Sequence, residues 1–320
     1  MLPTAGEVLL GYLIEQVEAI RVHESAVGSV DQAAIHKTRV ATRRLRSVLS
    51  SYRRLLRREQ TDPLRDELRW LAMVLGAVRD THVLREHLRD EASEVLGLGG
   101  LPAEVERQLG ERERAAVREL HGALDSVRYA ELRRHLDALV AQPPLRRRAQ
   151  RPAKRVLPPL AGRAARGVDE AALLADADGL TAKERDDALH DVRKAAKKAR
   201  YAAELALPVG GKGAALLVSR MTRLQEVLGQ RQDSVMSRQV LAELSRSTPP
   251  SASGAQAAFE AGVLAGHDLP DVELSDTAYR EALQGTSQGK ARRWTRGRGG
   301  RAAAVNEPGD RPGDSPALVP

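Results

Sequence analysis

Apolar residues recur along most of this chain at intervals of three and four, the period of an α-helix with one buried side. Leu9, Leu10, Leu13, Ile14, Val17 and Ile20 share one side of a helix predicted from about Thr4 to Ala26. Asp31 is a good N-cap for the next, Ala33 to about Arg58, with Ala41, Leu45, Val48, Leu49, Tyr52, Leu55 and Leu56 as its apolar face. A third helix starts near Pro63, carries Leu68, Leu71, Leu75 and Val78, and runs to about Val95, where Gly97-Leu98-Gly99-Gly100-Leu101-Pro102 breaks it. A fourth covers roughly Ala103 to Val140, and Pro143-Pro144, followed by Arg146-Arg147-Arg148, is the best internal boundary. Beyond it a shorter helix spans about Ala153 to Arg166. The capping-box pattern Thr181-Ala182-Lys183-Glu184 opens another, which reaches about Leu207 and ends at Pro208-Val209-Gly210-Gly211. Helices at Leu216–Leu244, Ala255–Gly266 and about Ser275–Leu283 follow, with a loop at Pro249-Pro250-Ser251. No convincing alternating strand pattern occurs, so the predicted fold class is all-α.

The polar sides of two of these helices match. His36-Lys37-Thr38-Arg39-Val40-Ala41-Thr42-Arg43-Arg44-Leu45-Arg46 returns 154 residues later as His190-Asp191-Val192-Arg193-Lys194-Ala195-Ala196-Lys197-Lys198-Ala199-Arg200. Each copy has basic residues at +3, +7, +8 and +10 from its histidine, and +3, +7 and +10 lie on one helical face. Downstream, Leu75-Gly76-Ala77-Val78-Arg79-Asp80 and Leu228-Gly229-Gln230-Arg231-Gln232-Asp233 repeat too, with separations of 44 residues from His36 to Asp80 and 43 from His190 to Asp233. Two motifs in matching order and spacing predict an internal duplication of a helical unit.

These faces are unusual in sign. From Lys37 to Arg58 there are nine Lys or Arg and no Asp or Glu. Like charges one turn apart each cost ~0.2–0.5 kcal/mol, and Arg39–Arg43, Arg43–Arg46 and Arg54–Arg57 are all such neighbours. Something must offset this: carboxylates on packed helices, with Asp80, Asp233, Asp66 and Glu67 as candidates, or an external anion. Each histidine either donates to a phosphate or hydrogen-bonds a neighbouring helix and fixes packing, and the like charges beside His36 should depress its pKa.

Composition narrows the partner. A net charge of +8 is compatible with a polyanion. Asparagine occurs only at Asn306, and the motif helices carry only Tyr52 and Tyr201 as aromatics. Base-edge readout and base stacking are therefore poorly served. A base-free phosphate chain fits, and so does non-specific duplex binding through counterion release. The chain has no cysteine, which excludes disulfides, thiolate metal sites and cysteine nucleophiles. No metal-spaced histidine pair, paired-carboxylate site or Ser-His-Asp arrangement stands out, and Val209-Gly210-Gly211-Lys212-Gly213 lacks the phosphate-loop spacing. No catalytic residue, cofactor or metal is expected. The N-terminus does not read as a signal peptide and no run is long enough for a membrane span, so a cytoplasmic protein is expected. From about Gly285, Gly, Pro, Arg and Asp dominate, and residues 285–320 are expected to be a disordered tail, basic in its first part.

His36-x-x-Arg39-Val40-x-x-Arg43-Arg44-Leu45-Arg46 and His190-x-x-Arg193-Lys194-x-x-Lys197-Lys198-x-Arg200-Tyr201 resemble the CHAD family, the conserved histidine α-helical domain, over nearly the whole chain to about residue 285. The resemblance implies two four-helix bundles related by a pseudo-twofold axis, here residues 1–142 and 143–284. It also implies a basic surface and central channel that bind inorganic polyphosphate, with association to polyphosphate granules in some members. Carried over by position, the ligands would be His36, Arg39, Arg43, Arg44 and Arg46, with His190, Arg193, Lys197, Lys198 and Arg200. Lys37 and Lys194 are added, although each faces a non-basic residue in the other copy. Some members carry a triphosphatase-type domain; no motif for one occurs here, and a binding module without enzymatic activity is expected. The rival readings are an enzyme acting on phosphorylated substrates, with a histidine as phosphoacceptor or base, and a non-specific nucleic-acid-binding protein.

Overall fold

The computed structural model describes residues 2–96, 101, 103–247, 256, 259–264, 276–284 and 294–295. Among them the regular structure is helical: α1 (Ala5–Val22), α2 (Glu24–Gly28), α3 (Gln32–Ser51), α4 (Arg58–Leu96), α5 (Ala103–Leu124), α6 (Val127–Ala141), α7 (Ala153–Ala175), α8 (Ala182–Leu205) and α9 (Leu207–Ser247), with a 3-10 turn at Arg147–Gln150. Further helical residues lie at 259–264 and 276–284. The fold is all-α, as the periodicity implies. The Pro249-Pro250-Ser251 loop lies outside the described residues, and so does the tail apart from Trp294 and Thr295.

Local signals fix many starts. Asp31 accepts from the Ala34 amide at 2.7 Å and caps α3. Thr181 and Glu184 close a reciprocal capping box on α8, and Thr4 with Glu7 does the same on α1. Several predicted ends move. The first helix stops at Val22, and His23 caps both it and α2. The helix predicted to Arg58 stops at Ser51, which takes Arg54 and Arg57 off the helical stripe. The reason is tertiary: Leu55 and Leu56 are fully buried, and the Arg57 amide donates to the Pro144 carbonyl while the Arg146 amide donates to the Leu55 carbonyl, each at 2.8 Å. The single helix predicted over 103–140 is two, because Ser126 caps a new start through the Tyr129 amide. α7 runs on to Ala175 through Pro158 and Pro159. The Pro208–Gly211 stop is a kink at Gly211 (φ 50°) inside α9, a conformation that glycine adopts without a Cβ penalty.

Both halves of the chain feed one apolar core. Leu9 and Leu13 of α1, Leu45 and Leu49 of α3, Leu68 and Leu71 of α4, Leu157 of α7, Val192 and Ala199 of α8 and Leu224 of α9 belong to it. On α8 the buried positions include Ala196, Ala199, Ala202 and Ala203, small enough to let α3 approach closely. A second cluster joins the far ends of the long helices, with Leu88 and Ala92 of α4, Val105 and Leu109 of α5, and Leu241 of α9. The halves therefore touch at the α3–α8 crossing and again at the α4–α9 tips. The segment between the halves is no loose strap, since the Ala5 amide donates to the Arg151 carbonyl at 2.9 Å and the Ala153 amide to the Pro3 carbonyl at 2.9 Å.

Candidate functional site

The two basic stripes face each other. Burial pushes the Lys197 ammonium down to about 7, helped by the like charges of Arg193, Arg43 and Arg39 and opposed by Asp233. Arg193 is likewise lowered, first by burial, with Arg43 and Arg39 acting from α3 and Asp233 and Asp80 opposing. Cations of α3 and α8 thus share one electrostatic environment. α4 and α9 complete it, because Asp233 on α9, raised chiefly by burial, interacts with His87 and Asp80 of α4 as well as with Arg193 and Lys197. His36, Lys198 and Asp233 are open to water, yet desolvation by neighbouring protein is the leading cause of each of their shifts. Open but poorly hydrated side chains are expected on the wall of a cleft and not on a convex surface.

Each copy of the motif sets an arginine against the Leu-Gly motif of the next long helix, with different pairing in the two copies. Arg39 makes a two-armed ion pair with Asp80, at 2.6 and 3.0 Å, and lies over Gly76, where an added Cβ would sit 3.6 Å from Nη2. Arg193 lies over Gly229, where a Cβ would be only 3.2 Å from Nη2, and it has Asp233 beside it. A side chain at Gly229 would therefore press the Arg193 guanidinium, which would have to shift by a few tenths of an ångström. His190 Nδ1 is 2.7 Å from Gln232 Oε1, and at the equivalent position Arg79 stands beside His36. Both histidines are lowered first by burial. Arg79, Arg43 and Arg39 act further on His36; at His190 the Gln232 bond opposes, and Lys194, Lys197 and Arg193 reinforce. For His36 the expected direction holds, although burial outranks like charge.

The candidate ligands divide by environment. Arg44 and Arg200 converge on the poorly exposed Glu204, at 3.2 and 3.3 Å. Tyr12 donates to the same carboxylate at 3.4 Å. Tyr201, fully buried, accepts from Arg43 Nε at 2.8 Å and from Arg200 Nη2 at 3.2 Å. Beside this knot a groove of about 780 Å³ is lined by Tyr12, Glu15, Arg44, Glu204 and Pro208. Lys194 pairs with Asp191 at 2.9 Å within its own helix, and Lys37 is exposed on α3. Among the described residues no carboxylate forms an ion pair with Arg43, Arg46, Arg193, Lys197 or Lys198. Buried Arg193 Nε has no hydrogen-bond partner in the described structure. Arg46 is lowered by burial and then by Arg69 and Arg65 of α4, with Asp66 opposing, and Lys198 by burial and then by Arg53 and Arg65.

Sequence reading did not single out Arg79, Arg65, Arg69, Arg53, Glu204 or Gln232 as parts of the site. Arg79 and Gln232 occupy equivalent places in the two Leu-Gly motifs, and that alignment was the available signal. Glu204 lies one turn after Arg200 and offered a local cue for that residue alone. Among the described residues no group of three or more His, Cys, Asp or Glu could hold a metal ion, and no helix is long and apolar enough to cross a membrane.

Comparison with known proteins agrees with the all-helical fold. The CHAD domain family model matches residues 11–242. That span includes both motifs and stops short of the residue 285 suggested by the resemblance. Two uncharacterized proteins of Mycobacterium tuberculosis, MT2285 (strain CDC 1551 / Oshkosh) and Rv2226 (strain H37Rv), are each 34% identical over 232 residues, covering 71% of this chain and 43% of theirs. The chain thus spans less than half the length of these curated relatives. Among solved structures, PptA from Streptomyces chartreusis superposes with a TM-score of 0.72 at 24% identity, over 88% of this chain and 99% of that one. The CHAD domain from the plant Ricinus communis gives 0.64 at 25% identity, over 88% and 92%.

Proposed function

Because the chain belongs to the CHAD family, we propose that it binds inorganic polyphosphate in the cleft between its two halves, as a binder and not as an enzyme. The observation that carries this reading is the convergence of Arg43, Arg193 and Lys197 from two helices with too few carboxylates to neutralise them. Helix packing holds the cations together against their repulsion. Phosphate oxygens relieve it, with arginines giving two-armed contacts and lysines point charges. Both tyrosines of the motif helices are fully buried, so neither offers a face for stacking a base. That favours a phosphate chain without bases over single-stranded nucleic acid. Non-specific duplex binding is the competitor, since it needs only phosphates.

The division of the ligand set gives each residue a role. Arg43, Arg46, Arg193, Lys197 and Lys198 contact phosphate. Arg39 can exchange Asp80 for ligand, and His36 and Lys37 extend the wall. Arg44 and Arg200 brace the crossing through Glu204. His190 is oriented by Gln232 and offers its other ring nitrogen. By the same reading the protein acts in the cytoplasm, on polyphosphate granules; a fluorescent fusion that stays diffuse in polyphosphate-filled cells would count against that location.

The test is titration of defined-length polyphosphate and duplex DNA against the protein at several salt concentrations. Tighter binding of polyphosphate, falling steeply with salt, is the expected result. Equal or tighter binding of DNA would replace the reading with the nucleic-acid one. Phosphate release is measured alongside, and sustained turnover would make the protein an enzyme.

A further inference from the structure

Cations also gather beyond the two stripes, on three elements that the motif does not include. In the turn between α3 and α4, Leu55 and Leu56 point into the core, whereas Arg53 and Arg54 are exposed. The backbone bonds of that turn to Pro144 and Arg146 hold it against the 3-10 turn, where Ala149 is buried and Arg148 is exposed. On α7, Arg163 and Arg166 stand one turn apart on the exposed side, opposite the buried Leu160, Ala161, Ala164, Ala165 and Val168. These arginines lie within electrostatic range of one another: Arg163 is held below the ordinary guanidinium range by partial desolvation and then by Arg54, Arg166, Arg148 and Arg53.

Several arginines elsewhere are paired, Arg85 and Arg89 of α4 with Glu106 of α5, Arg21 with Asp137, and Arg128 with Glu67, whereas Arg53, Arg54, Arg148, Arg163 and Arg166 resemble Arg43, Arg46 and Arg193 of the cleft. None of these five arginines makes an ion pair among the described residues. The cluster is also continuous with the cleft. Arg43 neighbours Arg46, Arg46 neighbours Arg65, Arg65 neighbours Lys198, and Lys198 neighbours Arg53. The route from Arg43 to Arg163 thus passes Arg46, Arg65, Lys198 and Arg53 in turn, and a tripolyphosphate seated among Arg43, Arg193 and Lys197 is expected not to span it.

We propose that Arg53, Arg54, Arg148, Arg163 and Arg166 form a second anion station that engages only a polyphosphate chain long enough to leave the cleft past Lys198. The proposal rests on the polyphosphate reading of the cleft and adds length selectivity to it. The station contributes affinity by linkage, as a second contact made by a chain already held at the first.

The test compares tripolyphosphate with a long polyphosphate chain, each titrated at several salt concentrations, for the wild-type protein and the variant Arg148→Glu/Arg163→Glu/Arg166→Glu. All three positions are exposed, and matching helicity and melting temperature establish that the variant is folded; Arg148→Gln/Arg163→Gln/Arg166→Gln serves as a milder second variant. The expected result is unchanged tripolyphosphate affinity, with long-chain affinity reduced about tenfold or more and the salt slope smaller by roughly two, at ~0.7 per lost contact of a flexible strand. Unchanged long-chain affinity and slope in both variants would overturn the proposal. Equal loss for both ligands would overturn it too, because the substitutions would then be acting on the cleft. A wild-type protein that binds neither ligand would instead remove the polyphosphate reading itself, and the second station with it.

Discussion

On the proposed function, Lys197 is where a single proton would link the site to its ligand. Burial and three arginines bring its pKa from 10.5 down to about 7, against the pull of Asp233. In the folded protein without ligand, the charged form is disfavoured relative to the unfolded chain. Stability is therefore lowest with respect to this group below about pH 7 and is regained as pH rises towards 10.5. Ligand binding reverses the preference, since a phosphate beside the ammonium raises its pKa. Below pH 7 the proton is already in place, and above it each binding event must bring one. Polyphosphate affinity should hence fall by up to about tenfold per pH unit above pH 7, and Lys197→Arg, which stays charged, should flatten that fall. Fluorescence titrations from pH 6 to 9 measure both, and a wild-type affinity flat through pH 9 would take Lys197 out of the ligand contact. At this scale the sequence identified the cations but not their partners. Glu204 meets Arg44 across 160 residues of chain, and no local spacing announces such a contact.

At the scale of elements, the α3–α8 crossing carries the architecture of the site. Its small alanines allow close approach, and Tyr52, on the apolar face of the predicted helix, ends α3 and donates its hydroxyl to the Ala202 carbonyl of α8 at 2.6 Å. The bond is fully buried. Tyr52→Phe leaves that carbonyl unsatisfied and should cost about 1–3 kcal/mol. Urea unfolding should show a lower midpoint with an unchanged slope, and an unmoved midpoint would mean the crossing does not depend on this bond. Helix starts were legible because capping is local: Asp31, and Thr181 with Glu184, sit where the apolar periodicity begins. Helix ends were less so. Nothing local to Ser51 stops α3; the stop comes from Leu55 and Leu56 being drawn into the core and from hydrogen bonds to a segment some 90 residues on. The seat for Trp294 was hidden for the same reason. Added Cβ atoms at Gly210 and Gly213 would each fall 2.6 Å from its side chain, so those glycines serve packing as well as the kink between them.

For the molecule as a whole, the decisive feature is that cations of the two helical stripes share one electrostatic environment, which the proposed function reads as one site. Were they on separate surfaces, charge reversals in each would act independently, with effects adding to within about 0.5 kcal/mol. Facing each other, they must couple. A double-mutant cycle with Arg43→Glu and Lys197→Glu, read as polyphosphate affinity, should depart from additivity by more than that amount, and additive losses would separate the stripes again. Salt dependence is the companion property, set by how many phosphates the combined wall neutralises and not by any one residue.

The sequence by itself determined the helical class, the repeated cationic faces, the caps that start α3 and α8 and the family membership, because each is written in spacings of fewer than a dozen residues or in the matching of two such spacings. Only the tertiary structure decided which arginines are paired with carboxylates and which are not, where α3 ends, and that cations of the two faces come together. Those outcomes depend on distances between residues far apart in the sequence, and on a desolvation that no side chain has until its neighbours are packed around it.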